Sequence, residues 1–250
     1  MKILLVNHLL DPVSGGGTAE RTLQMARFLA TEGAECTLLT LDIGGIGAGA
    51  RPSLFSGVNV VAVPCLNQRF FLPYLRYAKL KALVEDADVV YLSGHWTLLN
   101  AWVFHVCKRL GKPYLFCPAG ALKPFGRSRV LKWLYAKLVG GSLARSAAAC
   151  VAVTEGEKSA FAECGVPAER VVVVPNGIDP AEYVLANPAE EVASFRRKLG
   201  LDASRFILFL GRLNPIKGPD LLLEAFSRLP PSVRDVHLVL AGPDGGMRGL

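Results

Sequence analysis

The stretch Gly211-Arg212-Leu213-Asn214-Pro215-Ile216-Lys217-Gly218 follows the apolar run Phe206-Ile207-Leu208-Phe209-Leu210. A short continuous apolar run that ends in a glycine reads as a buried strand entering a loop. Behind the loop, residues 220–229 place Leu222, Leu223, Ala225 and Phe226 at helical spacing. The order strand, glycine, basic loop, helix sets Gly211, Arg212 and Lys217 at the carboxyl end of a strand, beside a helix amino terminus. Backbone N–H groups and the helix dipole favour an anion there, and a diphosphate suits that geometry. A surface loop carrying two solvated cations is the alternative that these eight residues leave open.

Outward from this loop, strands and helices alternate along the chain. Apolar runs at 3–7, 36–41, 58–63, 89–93, 114–117, 150–153 and 171–174 predict strands, and periodic segments at 19–32, 76–86, 98–110, 130–144 and 155–164 predict helices between them. Continuous apolar strands joined by helical crossovers imply an α/β fold, a parallel sheet covered on both faces in a Rossmann-like domain. Residues 44–50 and 64–73 read as long irregular connections. Residues 1–180 form the first domain in this reading. Residues 181–204, with Pro188 and a charged helix at 189–198, form a connection, and 205–250 open a second Rossmann-like unit with two strands, where such sheets hold about six.

Composition narrows the class. A chain of 250 residues with 51% hydrophobic content buries a sizeable core. The net charge of +7 is uneven: residues 1–150 carry 17 basic and 8 acidic side chains, and the remainder carry 11 and 13. The opening segment from Met1 to Val6 is a short apolar run stopped by Asn7 and His8, too short for a cleaved leader. No stretch approaches the ~20 apolar residues of a spanning helix, so the expectation is a cytoplasmic protein. Six cysteines, at 36, 65, 107, 117, 150 and 164, show no CxxC pairing and read as buried thiols in a reducing compartment.

Three further constellations stand out. Ser14-Gly15-Gly16-Gly17-Thr18 lies between the first strand and the first helix, where bare backbone amides approach a phosphate or a sugar hydroxyl. It does not match GxGxxG, and the bland reading is a flexible turn with Thr18 as helix cap. His95, in Ser93-Gly94-His95-Trp96-Thr97, follows a parallel strand and faces the crevice where such sheets bind ligands; a packing or capping histidine is the alternative. His8 ends the first strand near the glycine loop, and His105 sits among apolar helix residues as a packing group.

With these residues in view, the chain resembles the retaining GT-B glycosyltransferases, the large group 1 family, of the family 4 type. The resemblance rests on 206–242, on Pro175-Asn176-Gly177-Ile178-Asp179, on Gly15 to Gly17 and on 118–126, Pro-Ala-Gly-Ala-Leu-Lys-Pro-Phe-Gly. It implies a nucleoside-diphosphate sugar as donor substrate, no further cofactor and no metal, and a glycan or lipid-linked acceptor in cell-surface polysaccharide synthesis. Arg212, Lys217 and Gly211 would hold the donor diphosphate. Gly16, Gly17 and Asn176 would line the cleft between acceptor and donor, and His95 would orient the donor sugar during front-face attack. Ala119 departs from relatives that carry arginine there. The family's pair of glutamates would fall beyond Leu250, so the resemblance also implies a truncated second domain. A noncatalytic assembly subunit stands beside the enzyme as an alternative, and a nicotinamide oxidoreductase shares the fold but lacks the fingerprint.

Residues 65–145 carry 13 basic and 3 acidic side chains. Within 127–145, Leu131, Leu134, Leu138 and Val139 fall at helical spacing among Arg129, Lys132, Lys137, Trp133 and Tyr135, and Arg69 to Arg76 adds a second aromatic and basic segment. An amphipathic basic surface of this kind implies peripheral attachment to an anionic membrane face. A helix packed on its own core with a solvated basic face is the alternative. No motif for nucleic acid accompanies it.

Overall fold

The structure, a computed structural model, describes residues 1–44, 46, 55–123, 129–201, 204–230, 235–247 and 249. Parts of the expected loop at 44–50 and residues 124–126 of the proline-bounded segment lie outside them. The chain divides into two compact units, Met1–Asp179 and Pro180–Leu250.

The first unit is built on β1 (Lys2–Val6), β2 (Glu35–Asp42), β3 (Val58–Asn67), β4 (Leu72–Pro73), β5 (Val89–Ser93), β6 (Tyr114–Cys117), β7 (Ala149–Ala152) and β8 (Val171–Val173). They lie in the order β4-β3-β2-β1-β5-β6-β7-β8, every pair parallel except β3 with β4. Strand alternation explains why both faces are covered. Ile3 and Leu5 of β1 enter one apolar cluster with Leu38 and Tyr91, while Leu4 and Val6 enter the other with Val90 and Leu92. The helices are α1 (Pro12–Thr31), α2 (Tyr77–Asp86), α3 (Leu98–Leu110), α4 (Arg129–Tyr135), α5 (Gly141–Arg145) and α6 (Lys158–Glu163). In α3 the sequence writes both ends: Thr97 accepts from the Asn100 N–H, and Gly111, at φ 64°, turns the chain so that its N–H reaches the Cys107 carbonyl.

Four expectations need correction. The first helix begins at Pro12, not 19, because the glycine loop is folded into its opening turns and kinks it at Gly16. The connection at 64–73 is a hairpin, with Cys65 opposite Pro73 and Asn67 opposite Leu72 across an irregular register. The helix expected at 130–144 is broken by a wide turn, Ala136–Gly140, in which the Gly141 N–H bonds the Ala136 carbonyl five residues back. His105 is exposed on α3 and is not part of the core. All six cysteines are free thiols; four are buried and Cys65 and Cys164 are half-buried.

In the second unit, α7 (Pro188–Lys198) precedes β9 (Arg205–Leu210), α8 (Pro219–Ser227) and β10 (Val236–Ala241). Glu190 and Glu191 open α7 and Arg196, Arg197 and Lys198 close it, matching the helix dipole at both ends. The strands β9 and β10 pair in parallel, Phe206 opposite His237 and Leu208 opposite Val239.

Candidate active site

In the first unit the strand order reverses at β1, whose neighbours are β2 on one side and β5 on the other. Ligands of open α/β sheets bind outside the carboxyl ends of the strands at such a point. The residues there are Asn7 and His8 after β1, and Ser93 to Thr97 at the end of β5.

A buried polar network ties these ends to α1. Asn7 Nδ2 donates to the Thr18 carbonyl at 2.9 Å and to Thr22 Oγ1 at 3.0 Å, and Thr22 Oγ1 lies 2.9 Å from Ser93 Oγ. Asn100 Nδ2 donates to the Ser93 and Gly94 carbonyls, each at 2.9 Å. Burial makes these bonds demanding, since each polar atom left without a partner would cost roughly 1–3 kcal/mol. The loop they hold is strained: Gly94 has φ 81° and Trp96 has φ 53°, while Ala119, after the adjacent β6, has φ 49°. Left-handed backbone at residues other than glycine, gathered at two neighbouring strand ends, is the pattern of a ligand site.

His95 stands inside this loop and is only 7% exposed. Its ring lies 4.3 Å from that of Trp96, 5.5 Å from Phe116 and 5.3 Å from Tyr135, the last edge to face at 87°. Burial lowers its pKa to about 4, so the imidazole is neutral near pH 7. His95 Nδ1 is buried without a hydrogen-bond partner among the described residues. A neutral ring of this kind could meet a polar ligand without bringing charge to it. His8, its pKa likewise lowered to about 4 by burial, meets Phe71 edge to face at 5.0 Å.

The three glycines have different duties. Gly16, at φ 55° and ψ −147°, occupies a region that only glycine enters readily. A Cβ on Gly15 would stand 2.9 Å from the Leu9 carbonyl oxygen, whereas one on Gly17 meets nothing within 4 Å. Thr18 does not cap the helix: its hydroxyl donates to the Gly15 carbonyl. Asn176 accepts from Arg21 of α1, so its amide oxygen is engaged within the first unit. Nothing in the sequence singled out Arg21, which stands among Thr18, Thr22 and Gln24 with Arg27 on the same helix.

Asp86-Ala87-Asp88 carries an Asp-x-Asp spacing that the expectation of no metal left out of account. Both carboxylates are spent on Lys2 at the amino end of the sheet, Asp86 on its ammonium and Asp88 on its backbone N–H, each at 2.7 Å. Among the described residues no group of three or more His, Cys, Asp or Glu side chains is placed to hold a metal ion.

In the second unit the loops after β9 and β10 are zipped together. Gly211 N–H bonds the Ala241 carbonyl and Leu213 N–H bonds the Pro243 carbonyl, both at 2.9 Å, and Gly245 N–H returns to Leu213 at 2.8 Å. A Cβ on Gly242 would overlap the Gly211 carbonyl oxygen. Asn214 Oδ1 accepts from Ile216 N–H, closing a short turn at Pro215–Lys217 that Gly218 ends at φ 67°. The loop backbone is thus fixed while the side chains of Arg212 and Lys217 stay exposed and form no hydrogen bond or ion pair with another described residue. Lys217 lies in the turn just before α8 and Arg212 on the same pinned loop, so both exposed cations stand near a helix start where an anion could be met.

The model of the glycosyl transferase 4-like domain matches residues 16–177, and that of glycosyl transferases group 1 matches 191–248. An uncharacterized glycosyltransferase of Methanocaldococcus jannaschii is 28% identical over 99% of this chain and 64% of its own length. D-inositol 3-phosphate glycosyltransferase of Xylanimonas cellulosilytica is 29% identical over 92% of this chain and 59% of its own. Among solved structures, Anabaena HepE in complex with UDP-glucose superimposes with a TM-score of 0.74 at 20% identity, covering all of this chain and 62% of that one. The chain therefore spans about three-fifths of these relatives. The α/β architecture is of the GT-B type, and the chain belongs to the glycosyl transferase 4-like family.

Proposed function

We propose that this chain supplies the acceptor-side domain and the opening of the donor-side domain of a glycosyltransferase. The enzyme moves a sugar from a nucleoside-diphosphate donor to a glycan or lipid-linked acceptor with retention, in cell-surface polysaccharide synthesis. The observation that carries the reading is the pair of unspent cations, Arg212 and Lys217, on a loop whose backbone is pinned to the neighbouring strand. Support for the donor comes from Anabaena HepE, solved with UDP-glucose.

In this reading Arg212 and Lys217 neutralise the charge that grows on the leaving diphosphate as the sugar–phosphate bond breaks, an interaction stronger in the transition state than in the ground state. The neutral imidazole of His95 orients the donor sugar, and the acceptor hydroxyl attacks from the face that the diphosphate leaves. The exposed apolar and basic surface of α4 attaches the enzyme to the anionic cytoplasmic face of a membrane.

The test is donor binding by the full-length enzyme. Arg212→Ala and Lys217→Ala should each weaken nucleoside-diphosphate binding by roughly ten- to a hundredfold, the worth of a charge-assisted contact of about 1.5–3 kcal/mol. His95→Ala should lower turnover while leaving nucleotide affinity near wild type. Titration curves identical to wild type for both cation variants would overturn the assignment of the diphosphate site.

A further inference from the structure

We infer that Gly140 and Tyr135 are positioning residues for His95, setting where its imidazole stands; the inference rests on the reading of His95 given above. Gly140 has helical backbone, φ −56° and ψ −45°, so no turn or positive dihedral demands glycine there. Alanine is the better residue for such a helical position. The reason for glycine is steric: a Cβ on Gly140 would lie 3.0 Å from His95 Cε1 and 3.1 Å from Nε2. Contacts that short are tighter than nearly all that a Cβ makes, so a side chain there would shift the ring by a few tenths of an ångström.

The wide turn at Ala136–Gly140 carries that glycine to the ring. It also changes the helical phase after Tyr135, so that Tyr135 and Gly140 both reach the imidazole from one segment. Tyr135 presents its ring edge to face, and its hydroxyl donates to the Thr97 carbonyl at 3.3 Å, bolting the helix to the start of α3. Trp96 Nε1 donates to the Ala121 carbonyl at 2.5 Å and fixes the other flank. With Nδ1 buried and unbonded, His95 has no hydrogen bond of its own to hold it at that nitrogen. Packing against Gly140 and Tyr135 does that work.

The experiment is Gly140→Ala and Tyr135→Leu, with Tyr135→Phe as the conservative control. In each the His95 Cε1–Hε1 resonance is followed, because the surrounding aromatic rings make it sensitive to ring placement. Gly140→Ala and Tyr135→Leu should move that resonance, leave nucleoside-diphosphate affinity unchanged, and lower turnover of the full-length enzyme by about ten- to a hundredfold, the cost of a small misplacement. Tyr135→Phe should restore most of the turnover. An unmoved resonance in Gly140→Ala, or Tyr135→Phe behaving like Tyr135→Leu, would overturn the inference. Full turnover in His95→Ala would instead remove the role of His95, and the resonance would still report whether Gly140 sets the ring.

Discussion

Arg21 donates from Nη1 to Asn176 Oδ1 at 2.8 Å and to the Pro175 carbonyl at 3.0 Å, joining the first helix to the last segment of the first unit across 155 residues. Arg21 is 6% exposed, and the contact seals the Pro-Asn-Gly-Ile-Asp stretch onto the domain that precedes it.

Arg21→Ala should destabilise the first unit by about 1.5–3 kcal/mol, since two charge-assisted bonds from a buried guanidinium are lost. Asn176→Ala removes one bond at an exposed residue and should cost about 1 kcal/mol or less. Arg21→Lys keeps a cation with three donors but on a shorter stem than the guanidinium, and should fall between the two. Urea unfolding of the three variants tests the order, and equal midpoints for Arg21→Ala and wild type would contradict it.

The glycine loop divides sterically from chemically. Gly16→Ala forces a β-carbon into glycine-only backbone and should cost about 1–3 kcal/mol of stability. Gly17→Ala meets nothing within 4 Å, so its stability should stay within about 0.5 kcal/mol of wild type. A loss of sugar transfer in Gly17→Ala at wild-type stability is the outcome that would mark Gly17 as a ligand contact, and thermal melts paired with transfer assays separate the two.

Much of this was legible in the residues. Runs such as Ile3 to Val6 and Val89 to Leu92 are apolar at every position, which only a sheet covered on both faces requires, and the parallel order followed. The helix expected at 98–110 has those bounds, with Thr97 and Gly111 as its caps. The break at 136–140 was invisible because Ala136, Lys137 and Leu138 are good helix formers in a helical pattern, and the His95 ring that Gly140 meets lies some forty residues away in the sequence. For the same reason Gly140 read as an ordinary residue of the helix expected at 130–144, and Arg21 as one cation among the seventeen of residues 1–150. His95 was legible from its place after a strand, but its aromatic enclosure was not, because Phe116 and Tyr135 arrive from other elements.

Acid should weaken the first unit before the carboxylates titrate. His8 and His95 have pKa values lowered to about 4 in the folded chain, both by burial, against about 6.5 when unfolded. Because the folded values lie below the unfolded one, this contribution is complete above about pH 6.5 and is lost as pH falls towards 4, by up to roughly 3 kcal/mol for each ring. The urea midpoint should therefore fall across that window, and His8→Phe should flatten the slope. A midpoint that stays level from pH 6.5 to 4.5 would show that neither histidine is buried neutral.

The outer face of α4 and of the wide turn after it is the strongest reason to test a membrane surface. Val130, Leu131, Trp133 and Leu138 are all more than half exposed, although an ordinary amphipathic helix would turn such residues inward. Lys137 lies 4.3 Å over the Trp133 ring and Lys132 5.8 Å over Trp96, so cations and apolar surface share one patch. The side chain of Arg129 lies outside the described residues. The hairpin after β3 adds exposed Leu66, Phe70 and Tyr74 with Arg69 over the Phe70 ring. No helix among the described residues is long and apolar enough to cross a membrane, so attachment through these patches would be peripheral. Each cation near an anionic leaflet contributes about 1 kcal/mol, and the buried apolar area adds to it. Flotation with vesicles should therefore recover the protein with anionic lipid and less of it as salt rises. Lys132→Glu with Lys137→Glu should weaken binding mainly at low salt, whereas Trp133→Ser with Leu138→Ser should weaken it at every salt concentration. Equal recovery on neutral and anionic vesicles, or none on either, would remove the membrane and leave a soluble acceptor approaching His95 from solution.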